Sequence, residues 1–170
     1  MNNQRLVNYL NFIGILGLSV ALCVAFYLQF TMHEKPCALC ILQRAGLLGV
    51  CFGMFLNLRF GPKPGHYGLS ILCACVSGMI SAKHILLWIC PRSTGLLGYG
   101  MPIGGMHLYT WAFVLGVASI ICISLLMMIP NQYQFMKKNE DYVLLTDVKV
   151  LTGISFWLLI TIFIINFFAI

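Results

Sequence analysis

The sequence predicts an all-α fold, a polytopic membrane bundle with a four-helix core and a fifth transmembrane helix at the C-terminal end. Three observations predict it. Hydrophobic residues fill 61% of the 170 positions and charged residues only 8%, against about 45–50% and about 25% in soluble domains. Mean hydropathy is +0.94. Five stretches are each apolar over about the 20 residues that a bilayer crossing requires. Ten Lys/Arg and four Asp/Glu cannot cover a water-facing surface. A soluble globule, a disordered tail and a nucleic-acid-binding arm are all excluded, and no nucleic-acid partner is expected.

The spans follow in order. Residues 6–33 contain no Asp, Glu, Lys or Arg, and the apolar run is about Val7 to Phe30. Only Arg5 lies just before it and no small-residue cleavage site follows, so a retained helix is expected rather than a removed signal peptide. The second span, about Leu39 to Leu58, carries Gln43 and Arg44 near its start. The third, Tyr67 to Ile89, carries Lys83 and His84 near its end. The fourth is Leu108 to Ile129, and the fifth, Val150 to Ile170, has no charge. Short connections suit antiparallel neighbours in a bundle. The expected organisation is a four-helix domain over 1–130, a polar cytoplasmic linker over 131–149 and an added helix over 150–170.

Positive charge sets the expected orientation. With the N-terminus inside, the inner segments hold Arg5, Arg59, Lys63, Lys137, Lys138 and Lys149, while the outer loops hold Lys35 and Arg92. This balance favours a cytoplasmic N-terminus, with the 31–38 and 90–107 loops outside. Small residues at four-residue spacing suit close helix packing in lipid. Gly17, Ala21 and Ala25 form such a stripe, as do Gly49 with Gly53, and Ala74, Gly78 and Ala82. Tyr109 and Trp111 fit an interfacial aromatic belt.

Depth sorts the eight cysteines. Cys23, Cys51, Cys73, Cys75 and Cys122 fall inside spans and read as packing residues. Cys73 and Cys75 are two apart, a rotation of about 200°, so they diverge. Cys37 and Cys40 differ. They form a C-x-x-C where an outer loop enters the second helix, with Pro36 just before. Unpaired N–H groups and the dipole at a helix start favour the thiolate, the species that performs thiol–disulfide exchange. Zinc usually takes four ligands in a structural site, and no second C-x-x-C or His pair is near in sequence. A c-type haem needs His after the second Cys, where Ile41 stands. Redox exchange and a static structural disulfide both remain open at this point.

Arg44 lies four residues after Cys40, on the same helix face and roughly 6 Å deeper. A cation within a span is a functional candidate by default, and the competing reading is snorkelling to the headgroups. His84 sits six residues before Cys90, so its depth matches that of Arg44 from the opposite chain direction. A His satisfied by a backbone carbonyl is the competing reading there. Lys83 is adjacent but about 100° away around the helix and is expected to snorkel.

The stretch from Lys35 to Arg44 (KPCALCILQR) resembles the DsbB family, disulfide bond formation protein B. His84 to Pro91 (HILLWICP) is similar to the end of that family's third helix, and His107 to Trp111 (HLYTW) to the start of its fourth. The resemblance covers about residues 7–130. It implies a membrane thiol:quinone oxidoreductase of the bacterial inner membrane, with the C-x-x-C facing the periplasm. Cys37 would be the outward sulfur that forms a mixed disulfide, and Cys40 the sulfur next to the quinone. Arg44 and His84 would line the quinone pocket. Ubiquinone or menaquinone is the implied cofactor, and a periplasmic DsbA-like thiol oxidoreductase the implied partner. No metal is implied. Family members normally carry a second cysteine pair in the second outer loop. Here that loop offers only Cys90, a candidate accessory thiol. Two alternatives stand beside this reading: a membrane binding or assembly protein with a structural C-x-x-C disulfide, and a paralogue running in the reductase direction.

Overall fold

The computed structural model describes residues 2–31, 37–89, 105–130, 133 and 146–168. Five helices account for nearly all of them: α1 (Asn2–Thr31), α2 (Ala38–Phe60), α3 (Pro64–Ile89), α4 (Leu108–Met127) and α5 (Thr146–Phe168). Each contains a segment long and apolar enough to cross a membrane: Leu6–Thr31, Ala38–Phe60, Pro64–Leu87, Leu108–Met127 and Val148–Phe168. The predicted helical membrane bundle is therefore the fold. Helices α3 and α5 begin three and four residues before their expected spans, because helical hydrogen bonding continues past the apolar stretch.

Local chemistry sets the ends around α2. Cys37 is its N-cap, with extended φ and ψ of −75° and 141°. The Ile41 N–H donates to the Cys37 carbonyl at 3.2 Å. The helix stops at Gly61, whose φ of 83° lies where a side chain is unfavourable. Pro64 then opens α3, a first helical position that suits proline. Only three residues separate the two helices, which forces them to run antiparallel.

Helix α2 is the hub. It packs most extensively against α3, and also against α1 and α5, while α3 carries α4. The α2–α3 seam is built on glycine. A Cβ at Gly46 would lie 2.7 Å from Ser77 Cβ, and one at Gly49 would lie 2.6 Å from Cys73 Sγ. At Gly53 it would meet the Ser70 side chain and come 2.8 Å from the His66 carbonyl oxygen. Lipid tails are as apolar as leucine, so close approach and interhelical hydrogen bonds hold such a seam. Ser77 Oγ donates to the Gln43 carbonyl at 3.0 Å, and Ser70 Oγ to the Val50 carbonyl at 3.1 Å. The Ala74–Gly78 stretch faces Gly116 of α4.

The stripe expected in α1 makes no close helix contact at Gly17. Gly17 is exposed, and a Cβ there would meet nothing within 4 Å. Helix α1 turns Ile15, Leu18, Leu22 and Phe26 into the core instead. Small-residue spacing recurs on any face of a helix, and here the bulky face fills the space beside α2.

Helix α5 belongs to the bundle. Ile162 joins the central core, and the Phe55 and Phe156 rings meet at 6.2 Å. Polar side chains are buried alongside the apolar core, and large apolar ones face outward. Asn11, Asn57, Ser70, Ser77 and Ser81 are fully buried, while Tyr27, Leu72, Met79, Leu125, Trp157 and Phe163 are exposed. That arrangement suits a hydrocarbon solvent.

Candidate active site

At the end of the bundle where α2 begins, three helices bring one cluster together. Cys37 caps α2 and Cys40 sits in its first turn, each half-buried. His84 comes from the last part of α3 and is 2% exposed. The two Sγ atoms and a His84 ring nitrogen all lie within 4.8 Å of one another. His84, expected at the depth of Arg44, meets the two sulfurs one turn above it. Both cysteines are free thiols in this structure.

The His84 ring is gripped from two sides. Gln43 Nε2 on α2 lies 3.4 Å from its Nδ1. The α2 backbone at Gln43 is tied to α3, since its main-chain carbonyl accepts from Ser77 Oγ. On the other side, the Tyr109 ring of α4 packs on His84 with centroids 4.6 Å apart. The His107 ring stacks on Tyr109 at 5.2 Å, and its carbonyl accepts the Thr110 and Trp111 N–H groups that open α4. Tyr109 is therefore buried in the site and is not part of an aromatic belt. Its position in the first turn of α4 aims it at α3, whereas Trp111 is turned outward and exposed.

Arg44 is one turn deeper and 9% exposed. It does not snorkel. Its Nη1 donates to Gln29 Oε1 on α1, its Nη2 to the Ala25 carbonyl at 3.5 Å, and its guanidinium lies 4.6 Å above the Phe26 ring centroid. Among the described residues its hydrogen-bond partners are neutral, so they fix the charge without cancelling it. It lies one turn below Cys40 on the same face of α2. A cation among neutral acceptors beside a thiol is an arrangement that stabilises negative charge appearing on that sulfur or on an adjacent group.

Sequence reasoning placed Cys37, Cys40, Arg44 and His84 in the site, and the structure brings them together. It passed over the roles of Gln29, Gln43, Tyr109 and His107. Gln29 and Gln43 were detectable as polar residues inside apolar runs. Lys83 is exposed, as expected. Cys51 is buried and Cys73 partly so, while Cys23, Cys75 and Cys122 are exposed and apart from the cluster. Cys90, Arg92 and most of the 131–149 linker lie outside the described residues.

The family profile described as "Disulfide bond formation protein DsbB" matches residues 7–94. "Disulfide bond formation protein B" of Marinobacter nauticus is 38% identical over 71 residues, 40% of this chain and 42% of that protein. The protein of the same name from Xanthomonas euvesicatoria pv. vesicatoria is 32% identical over 85 residues, 47% of this chain and 49% of that protein. "Disulfide bond formation protein B 1" of Pseudomonas fluorescens is 26% identical over 147 residues, 69% of this chain and 86% of that protein. The chain thus spans about half the length or less of the first two relatives. No solved structure gives a significant match. The matched region holds the C-x-x-C, Arg44 and His84, and covers half of the sequence: this chain belongs to the DsbB family.

Proposed function

We propose that this protein is an inner-membrane thiol:quinone oxidoreductase that oxidises an extracytoplasmic dithiol partner of the DsbA type. The observation that carries the reading is the cluster itself: two sulfurs and an imidazole within 4.8 Å, with Arg44 one turn below. In this reading the N-terminus is cytoplasmic and the cluster faces the periplasm, in line with the charge balance of the loops.

The working form carries a Cys37–Cys40 disulfide. A partner thiolate attacks Cys37 Sγ, because Cys37 caps the helix while Cys40 lies about 4.5 Å deeper along the axis. The S–S bond breaks, a mixed disulfide forms, and the electron pair leaves on Cys40 Sγ beside Arg44. The partner's second thiolate then attacks the mixed disulfide. The partner departs as a disulfide, leaving Cys37 and Cys40 reduced.

The residues around Cys40 fit a quinone. Gln43, Arg44 and His84 supply polar groups for carbonyl oxygens, and His84 packs at a tilt on Tyr109, which stacks on His107. A quinone, ubiquinone or menaquinone, supplies an acceptor for two electrons and two protons when bound. Arg44 stabilises negative charge on the acceptor side, and His84 holds or passes a proton. Gln29 and Gln43 keep these two groups in place.

The test is quinone reduction by the purified protein with a dithiol donor. Cys40→Ser is expected to abolish turnover. Offered the partner in its disulfide form, a Cys40→Ala protein is expected to hold it as a mixed disulfide, formed when the Cys37 thiolate attacks the partner disulfide and the partner's other sulfur leaves as a thiolate. Undiminished turnover in Cys40→Ser, or no trapped partner, would leave a structural disulfide as the better reading.

A further inference from the structure

The geometry points to a second use of the same cluster: in the dithiol state, Cys37, Cys40 and His84 bind a thiophilic divalent cation of the zinc type. Sequence spacing alone offered two ligands. The fold adds a third from another helix, with all three donor atoms within 4.8 Å. Zinc bonds of about 2.3 Å to sulfur and about 2.0 Å to nitrogen put tetrahedral donor atoms about 3.5–3.8 Å apart. Closing from the present separation takes about 1.3 Å at most, within reach of a side-chain adjustment at two half-buried cysteines.

The donor set fixes the class of ion. Two thiolates and an imidazole suit zinc-like cations and are poor ligands for calcium or magnesium. Three protein ligands leave the fourth position open, the pattern of exchangeable rather than structural sites. Metal-bound histidines donate their second ring N–H to an acceptor, and the Gln43 side chain, whose Nε2 lies 3.4 Å from His84 Nδ1, can do this once its amide turns to present Oε1. Charge also balances. Binding displaces one proton from each thiol to water, and two thiolates neutralise the divalent ion, so Arg44 meets no net positive charge from the complex. No electron moves.

A disulfide removes both thiolates, so this site exists only in the reduced protein. Metal occupancy then withholds both sulfurs from exchange. This blocking effect rests on the oxidoreductase reading above, whereas metal binding itself does not.

The experiment titrates the full-length protein in detergent, reduced with a phosphine, with Co2+ and then Zn2+. The expected result is one Co2+ per chain, a thiolate-to-cobalt absorption band, and the strong visible bands of four-coordinate cobalt, displaced by Zn2+. The same protein oxidised to the Cys37–Cys40 disulfide should show neither band, a control that needs no mutation. His84→Ala or His84→Gln should weaken binding at least about tenfold, and Gln43→Leu about tenfold. The inference is overturned if the reduced protein shows no thiolate band, if the disulfide form shows an equal one, or if the Cys37→Ser/Cys40→Ser double variant or both His84 variants bind as well as the parent. A second arm measures quinone reduction with equimolar Zn2+, expected to stop and to recover with a chelator. Absence of any quinone reduction defeats the oxidoreductase reading while the cobalt spectrum stands. Normal turnover without a cobalt spectrum defeats only the metal inference.

Discussion

The Arg44 guanidinium on α2 donates to the Gln29 side-chain oxygen on α1, and this bond ties the charge at the site to a helix that carries neither Cys37 nor Cys40. A hydrogen bond from a charged group contributes roughly 1.5–3 kcal/mol. Arg44→Ala should therefore raise the quinone concentration needed for half-maximal turnover about tenfold or more, while leaving thiol exchange at Cys37 near its parent rate. Arg44→Lys should restore little, because an ammonium cannot reach Gln29 and the Ala25 carbonyl in the same forked geometry. Steady-state kinetics against quinone, set beside alkylation rates of Cys37, check this. Unchanged quinone dependence in Arg44→Ala would remove the guanidinium from the site.

Tyr109 should act through its ring. Its face packs on His84 at 4.6 Å and on His107 at 5.2 Å, and such aromatic pairs contribute about 0.5–1.5 kcal/mol each. Tyr109→Phe keeps both contacts and should turn over within about twofold of the parent. Tyr109→Ala frees one face of His84 and should slow turnover by about tenfold. A comparison of the two variants under saturating quinone separates ring packing from any role of the hydroxyl. Equal losses in both would assign the effect to the hydroxyl instead.

Much of this site was legible because its relations are local or can be counted. The spacing of Cys37, Cys40 and Arg44 fixes their mutual placement on one helix, and distance from the span ends put His84 at the same depth. The grip on Arg44 and His84 was not legible. Which residues of α1 and α4 meet α2 and α3 depends on how each helix is rotated. The α2–α3 seam at Gly46, Gly49 and Gly53 is set by backbone approach, while α1 docks through Ile15, Leu18 and Phe26. The exposed Gly17 shows why the small-residue rule does not choose a face. Tyr109 looked like a belt residue because an aromatic near a span end has the same pattern whether it faces lipid or the bundle.

The glycine seam should tolerate no side chain at its tightest point. Gly53→Ala places a methyl group against the Ser70 side chain and the His66 carbonyl oxygen, which is backbone and cannot swing away. Overpacking of this kind costs about 1–3 kcal/mol. At Gly116 the nearest atom to an added Cβ is the Ala74 carbonyl oxygen at 3.4 Å, an ordinary contact. Thermal unfolding in detergent should show Gly53→Ala clearly below the parent and Gly116→Ala within a degree or two. Equal melting temperatures for the two variants would contradict the seam geometry.

Asn57 should matter for stability and not for chemistry. It is fully buried, and its Oδ1 accepts from the Lys63 N–H and lies 3.2 Å from His66 Nδ1. Its Nδ2 donates to Asn11 Oδ1, and Asn11 Nδ2 in turn reaches the Tyr67 hydroxyl oxygen. One side chain thus joins α1, α2 and the start of α3 across the short Gly61–Lys63 connection. Asn57→Ala leaves the Asn11 and Lys63 groups short of a partner, a loss of about 1–3 kcal/mol. Asn57 is seventeen residues from Cys40, about 25 Å along α2. Maleimide labelling of Cys37 at a temperature where both proteins are folded should therefore proceed at the parent rate, while the melting temperature falls. A changed labelling rate with an unchanged melting temperature would mean that the two ends of α2 are coupled and that the polar cluster does more than hold three helices in register.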